Sequence, residues 1–369
     1  MRVTRLDIAN LRRFEQVSLA PAPGLNLIVG PNGAGKTSVL EALHLMGYGR
    51  SFRGRVHEGL VRAGTPALDV FVEWRREPAA GLAAATTHRA GLRHSGQAWE
   101  GRLDGMSVGH LGELCAALAV VTIEPGSHAL VMGGAELRRR FLDWGLFHVE
   151  PAFLPLWRRY ARALKQRNAL LKRGQRDPQL EAWELELAAA GEPLTVHRQH
   201  YLEQLQAPLQ ELLGALLPAA GGSRMEFLPG WRRDELNLAD ALLLSRERDL
   251  AAGHTTVGPH RADWRIDHAG IPGRAALSRG QAKLTAIAVL LAQAECHARA
   301  HGDWPVLALD DLASELDRAH QCRVLDWVLA SGAQLFVTGT EPPPALAVRG
   351  IPTRLFHVEQ GRLAAEDQA

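Results

Sequence analysis

The sequence predicts an α/β fold interrupted by a mainly helical lobe, and three observations carry that reading. A glycine-rich turn joins an apolar run ending at Val29 to an apolar, helix-forming run that begins at Lys36. Residues 136–217 are instead rich in Leu, Ala, Gln, Glu and Arg at helical spacing, as in Leu180, Trp183 and Leu187. Beyond residue 254, apolar runs at 306–309 and 334–337 alternate with helical segments, the pattern of a parallel sheet. The expected division is an α/β head formed by 1–135 and 254–369, with 136–253 inserted as the lobe.

The elements follow in order. Residues 3–8 alternate and predict a half-buried strand; 24–29 predict a more buried one. The helix after the glycine-rich turn is expected from Lys36 to about residue 47. Residues 69–74 read as a strand, and the Ala/Gly stretch near 79–96 as a loop or hairpin tip. In the lobe, Pro193 and Pro208 are expected to interrupt the helices, which argues against a long coiled coil. A Gly/Pro-rich break is expected near 221–230, with strands returning around 254–266.

Composition sets the outer bounds. The 369 residues are 46% hydrophobic and 22% charged, enough for a substantial core. The 42 Lys and Arg against 40 Asp and Glu leave +2, so the distribution of charge, not its total, must decide on nucleic acid. Cys115, Cys296 and Cys322 form no CxxC pair, which suits a reducing compartment and argues against a disulfide framework or zinc site. The N-terminus alternates and carries charge, unlike a signal peptide, and no run approaches the roughly 20 apolar residues of a membrane span. A cytoplasmic protein with no membrane partner is expected.

Gly30, Pro31, Asn32, Gly33, Ala34, Gly35, Lys36 and Thr37 spell GxxxxGK[ST] between a strand and a helix. The glycines permit backbone angles that a Cβ forbids, so successive N–H groups can turn toward phosphate oxygens; the helix N-terminus adds positive partial charge. This is a P-loop. Lys36 is expected to reach the β- and γ-phosphates of ATP, Thr37 to ligate Mg²⁺, and Ser38 to cap the turn.

Asp310 and Asp311 end an apolar strand, where an α/β sheet presents side chains to ligands. Asp310 suits the Walker B role of holding Mg²⁺, directly or through water. Two readings stand for Asp311: a general base that polarises the attacking water, or the N-cap of the next helix. Leu277-Ser278-Arg279-Gly280-Gln281 opens an apolar helix between the two Walker motifs. Ser278, Gly280 and Gln281 there fit an anion site built from a hydroxyl, an unobstructed N–H and a helix dipole; by itself the segment also reads as a simple capped helix. Residues 313–317 follow Asp311 as a D-loop follows Walker B, and 335–340 form a strand ending in Thr338 and Thr340, either of which is a candidate switch residue.

In this order the motifs resemble the ABC ATPases of DNA maintenance, and among them the RecF family, nearly end to end. Residues 6–14, 38–42, 49–53, 138–143, 164–168 and 258–263 are similar to RecF-family segments. The resemblance implies an ABC-type ATPase head with an inserted helical lobe and no long coiled coil. It implies that Arg12, in the arginine turn, joins the nucleotide site, and that the signature segment reads the γ-phosphate held by the opposite subunit. It further implies an ATP-dependent homodimer with slow hydrolysis, double-stranded and gapped DNA as partner, and RecO and RecR as helpers in loading RecA. At 123–127 the sequence departs from the family pattern, so no Q-loop residue is assigned.

Between Arg138 and Arg176 lie eleven Arg and Lys residues with few acids. Arg158, Arg162, Lys165 and Lys172 share a helical face suited to phosphates. A solvated helix face is the rival reading, and Arg138, Arg139 and Arg140 also fit a role in anchoring the lobe. Two other functions share the motifs: an ABC transporter subunit, which normally carries a switch histidine, and an SMC-like structural ATPase, which needs a long coiled coil.

Overall fold

The computed structural model describes residues 1–53, 59–76, 85–174, 177–271, 273, 276–343, 346 and 353–366. In chain order the first elements are β1 (Arg2–Ala9), β2 (Gln16–Leu19), β3 (Leu25–Val29), α1 (Lys36–Tyr48), β4 (Leu68–Arg76), β5 (Thr86–His94), β6 (Trp99–Leu103), β7 (Met106–Ser107), α2 (Leu111–Ala117) and β8 (Val120–Ile123). Next come α3 (Ala129–Met132), α4 (Ala135–Val149), α5 (Phe153–Leu171), α6 (Gln179–Leu216), β9 (Ser223–Leu228), α7 (Leu238–Ala252), β10 (Asp263–His268) and α8 (Arg279–His301). The chain closes with β11 (Val306–Leu309), α9 (Leu312–Glu315), α10 (Arg318–Ser331), β12 (Leu335–Gly339), β13 (Thr353–Glu359) and β14 (Arg362–Glu366).

Two compact units result, Met1–Ser127 with Gln293–Ala369, and His128–Ala292. The sequence-based boundaries lay at 135/136 and 253/254. The units divide at 127/128 and 292/293, because β10 pairs with β9 and the Trp264 indole N–H donates to the Arg138 carbonyl, which ties 263–268 to the helical residues.

The first unit holds two six-stranded sheets. One has the order β2-β1-β4-β5-β6-β7 and is antiparallel. The other, β14-β13-β3-β12-β11-β8, is parallel apart from its β14 edge. All of β3, β8, β11 and β12 is buried, the continuous apolar signature of a parallel sheet covered on both faces. The buried Gln334 side chain stitches the two sheets together: its Oε1 accepts from Val3 N–H, and its Nε2 donates to the Val3 and Ala22 carbonyls.

In the second unit, helices α4 to α7 surround a core that includes Leu187, Leu194, Tyr201, Leu205 and Leu209 from α6. A two-stranded ribbon, β9 with β10, accompanies them. At its heart Arg167, wholly buried, donates to Glu184, Asp249 and Thr255, joining α5, α6 and α7. Each charge is removed from water only because the others complete its hydrogen bonds.

Three local expectations are corrected. Of the stretch near 79–96, expected to be a loop or hairpin tip, residues 86–94 instead form strand β5, antiparallel to β4; pairing along all nine residues outweighs weak strand propensity. The remainder of that stretch, 79–84, lies outside the described residues. The break at 221–230 contains strand β9, stabilised by its pairing with β10. Helix α6 runs 38 residues straight through Pro193 and Pro208. Each proline forfeits one helical hydrogen bond, at roughly 3 kcal/mol, and the buried leucine face on both sides offsets that loss. The absence of a long coiled coil among the described residues stands on other ground: the helix is packed within its own unit.

Candidate nucleotide site

Strand β3 delivers the glycine-rich loop to α1. Gly30 lies at φ +152°, and a Cβ there would come within 2.1 Å of the Val358 carbonyl oxygen, so only glycine lets β3 pass β13 at this point. Gly35, at φ 119°, is the N-cap of α1, with no side-chain cap. The capping role expected of Ser38 is therefore not seen; Ser38 is buried in the first helical turn, its N–H bonded to the Gly35 carbonyl. Ala34 is buried, its N–H on the Pro31 carbonyl. Lys36 Nζ donates to the carbonyls of Gly30 at 2.8 Å and Pro31 at 3.0 Å, folded over the loop. Burial lowers its pKa, opposed by the charges of Asp311 and Asp310.

The other half of the site comes from sheet register. In the order β3-β12-β11, the strand after the loop's own is β12, and Leu309 of β11 pairs with Val337 of β12. The next residues, Asp310 and Thr338, therefore emerge side by side. Asp310 Oδ1 accepts from Thr338 Oγ1 at 2.7 Å and from Thr37 Oγ1 at 2.9 Å. Burial pushes the Asp310 carboxyl up from its ordinary pKa, while these two hydroxyls oppose the shift. A cation would relieve that burial cost, and a hydroxyl beside a carboxylate is a hard-oxygen set that suits Mg²⁺. Thr37 and Asp310 fit as its holders.

Asp311 has a left-handed backbone, φ 51°, and stands at the N-cap position of α9 without a side-chain cap bond. Its carboxylate is thus not spent on the helix. Thr340 is exposed at the end of the strand.

These groups meet in one cavity of about 730 Å³ lined by Lys36, Thr37, Ser38, Asp310, Asp311 and Thr338, together with Asn32, Gly33, Gly35 and seven further residues, three of them arginines. Arg12 lines it too, where the family resemblance led it to be expected. Sequence reasoning missed Arg13 and Arg53. Arg13 donates to the Gly33 carbonyl at 2.7 Å and holds the loop; Arg53, exposed, faces the same cavity and lowers the Asp310 pKa by its charge. Only proximity in the fold distinguishes them from other arginines.

Ser278, Gly280 and Gln281 lie in the second unit. Ser278 Oγ accepts from Gln281 N–H at 3.2 Å, and Gln281 Oε1 accepts from Ser278 N–H at 2.8 Å, a reciprocal capping box at the start of α8. All three are at least partly accessible.

The basic stretch is thinner than its composition. Arg138 is buried against Asp263, Arg139 donates to the Ala262 carbonyl, Arg140 pairs with Glu136, and Arg159 pairs with Glu186. Arg167 is internal. Arg158, Arg162, Lys165 and Lys172 remain exposed, and Arg176 lies outside the described residues.

Comparison with known proteins agrees with this geometry. The family model RecF/RecN/SMC N terminal domain matches residues 2–361. The chain is 65% identical to the DNA replication and repair protein RecF of Stenotrophomonas maltophilia (strain R551-3), over 99% of this chain and 100% of that one. The chain belongs to the RecF family. It is 62% identical to the RecF of Xanthomonas axonopodis pv. citri (strain 306), with 99% of each chain covered. The solved recombination mediator protein RecF-ATP of the RecFOR pathway superposes with a TM-score of 0.86 at 25% identity, covering 99% of this chain and 98% of that one. A Pyrococcus furiosus Smc head with an extended coiled coil shares the fold, TM-score 0.60 at 15% identity, over 99% and 96%. Among the described residues no helix is long and apolar enough to cross a membrane.

Proposed function

We propose that this RecF-family chain is an ATP-dependent DNA clamp of replication restart and recombinational repair, which dimerises on ATP and is reset by slow hydrolysis. The observation that carries the reading is the Thr37–Asp310 pair at 2.9 Å beside Lys36 in one cavity. Lys36, released from the Gly30 and Pro31 carbonyls, meets the β- and γ-phosphates, and the loop N–H groups surround them. Arg12 and Arg53 add positive charge at the rim of the same cavity. Mg²⁺, held by Thr37 and Asp310, supplies neutralisation of phosphate charge. Asp311 accepts a proton from water as the water oxygen bonds to the γ-phosphorus and the bond to the ADP oxygen breaks, giving ADP and phosphate.

Ser278 and Gly280 of one protomer complete the γ-phosphate site of the other, so ATP links two copies. Double-stranded and gapped DNA is the ligand of the dimer, RecO and RecR are its partners, and RecA loading is the outcome, in the cytoplasm. Relatives solved as RecF-ATP in the RecFOR pathway support this reading.

Sedimentation with and without ATP tests it, for wild type and Ser278→Arg. The wild type shifts from monomer to dimer on ATP. The variant still binds ATP yet stays monomeric; an ATP-dependent dimer of Ser278→Arg rejects the composite site.

A further inference from the structure

The switch position after the Walker B strand holds threonine, and its geometry suggests a task other than touching phosphate. We infer that Thr338 is a positioning residue for hydrolysis: its single hydroxyl sets both the Asp310 carboxylate and the backbone of Asp311. This rests on the ATPase reading above.

Thr338 Oγ1 donates to Asp310 Oδ1 at 2.7 Å and accepts from the Asp311 N–H at 2.9 Å. A hydroxyl has one proton and two lone pairs, so once its proton points at the carboxylate, a lone pair is left for the amide. The two bonds have a fixed polarity, and no apolar isostere reproduces either. Thr338 is 1% exposed and lies on the strand between the P-loop strand and the Walker B strand, so its rotamer is held by packing on both sides.

The division between Thr338 and Thr37 follows from where each resides. Both hydroxyls converge on Asp310 Oδ1. Thr37 belongs to the loop–helix junction that meets ligand, so its bond to Asp310 is exchangeable. Thr338 lies in the sheet interior and keeps the carboxylate in place when Thr37 turns to the metal. On its other side, Thr338 anchors the amide of a non-glycine residue at φ 51°, a backbone region that L side chains seldom adopt. That anchor aims the Asp311 side chain into the cavity while leaving it off the α9 cap. With its hydroxyl spent twice and its surface buried, Thr338 does not contact the γ-phosphate; it orients the two residues that meet the metal and the water.

The experiment compares wild type with Thr338→Val, which keeps shape and removes both bonds, and with Thr338→Ser, which keeps the hydroxyl. Single-turnover and steady-state hydrolysis, equilibrium binding of ATP and the Mg²⁺ concentration for half-maximal rate are measured, with thermal unfolding alongside. In Thr338→Val, kcat falls about tenfold or more and half-saturating Mg²⁺ rises, while ATP binding at saturating Mg²⁺ changes less than about threefold. Thr338→Ser recovers most of the rate. If Thr338→Val does not fold, Thr338→Cys, of similar volume and weaker hydrogen bonding, shows the same split in smaller measure. Equal losses in ATP binding and rate, an unchanged Mg²⁺ profile, or a wild-type rate in Thr338→Val overturns the assignment. A wild-type protein that binds ATP without hydrolysing it refutes the ATPase reading instead, and the two failures are distinct.

Discussion

The Arg12 guanidinium clasps the Glu41 carboxylate in two bonds, Nε to Oε2 at 3.0 Å and NH2 to Oε1 at 2.8 Å. Glu41 is wholly buried on α1, whereas the Arg12 side chain is 20% exposed and lines the candidate nucleotide cavity. Ser51 Oγ also donates to Glu41 and in turn accepts from the Arg53 N–H. One carboxylate thereby ties two cavity arginines to the helix that begins at Lys36.

Removing one member of this pair leaves an uncompensated charge, and removing both does not. Arg12→Ala is expected to destabilise the protein by about 2 kcal/mol or more, at the low end of buried pairs because Arg12 is partly solvated. Arg12→Met with Glu41→Leu is expected to regain a good part of that loss. Urea denaturation of both variants decides it; a double variant no more stable than Arg12→Ala means that the pair contributes attraction beyond the desolvation it offsets.

Acid sensitivity follows from two histidines, the buried His44 and the half-buried His260. His260 accepts from the Tyr160 hydroxyl and donates to the Thr255 carbonyl. Burial lowers its pKa to about 4, aided by Arg261 and Arg139 and opposed by the Thr255 bond and Asp249. His44 is lowered to about 3 by burial and by Arg50. Between the folded value of His260 and the ordinary 6.5, the unfolded chain binds a proton there that the folded chain does not. Its stabilising effect is complete above pH 6.5 and is lost as pH falls toward 4, up to about 3 kcal/mol. His260→Gln is expected to flatten the urea-midpoint profile across that window, and an equally steep profile in the variant excludes His260 as its source.

The two carboxylates of the site should fail differently. Asp310 is held by Thr37 and Thr338, and among the described residues Asp311 is held through its backbone. Asp310→Asn is expected to weaken Mg²⁺-dependent ATP binding. Asp311→Asn is expected to keep ATP and the ATP-dependent dimer while turnover drops about a hundredfold, within the range for losing a general base. Nucleotide binding and phosphate release measured on each variant separate these outcomes. Normal turnover in Asp311→Asn removes it from the chemistry.

How far the sequence could lead depends on how local each constraint is. The segment from Gly30 to Thr37 was legible as a turn between strand and helix because its closely spaced glycines, Lys36 and Thr37 follow one another in the sequence, and the fold keeps that strand–loop–helix order. Asp310 was legible as the end of an apolar strand. The bonds of Thr338 to Asp310 and Asp311 were not, since they arise from the pairing of Leu309 with Val337 across two strands separated by α9 and α10. Nor was the internal fate of Arg167, whose partners Glu184 and Asp249 lie on two other helices. A run of arginines looks alike in sequence whether its members face water or one another.

That distinction decides the DNA prediction. Of the basic stretch, Arg158, Arg162 and Lys165 are exposed along α5, at spacings that share one helical face. Arg138, Arg159 and Arg167 are committed to acids within their own unit, so replacing them should disturb folding or local packing more than DNA affinity. If the exposed three contact phosphates, each releases counterions, and binding weakens steeply with salt with little regard to base sequence. Replacing all three by alanine is expected to reduce the slope of log affinity against log salt by at most about 3 units. ATP binding should persist, because the glycine-rich loop is untouched. If ATP joins two such faces in a dimer, affinity rises by effective concentration, so wild-type duplex binding should tighten with ATP. Duplex affinity across a salt series, with and without ATP, for wild type and the triple variant, measures all of this. An unchanged slope in the triple variant transfers the DNA path to the first unit, and equal wild-type affinity with and without ATP dissolves the link between the nucleotide cavity and DNA.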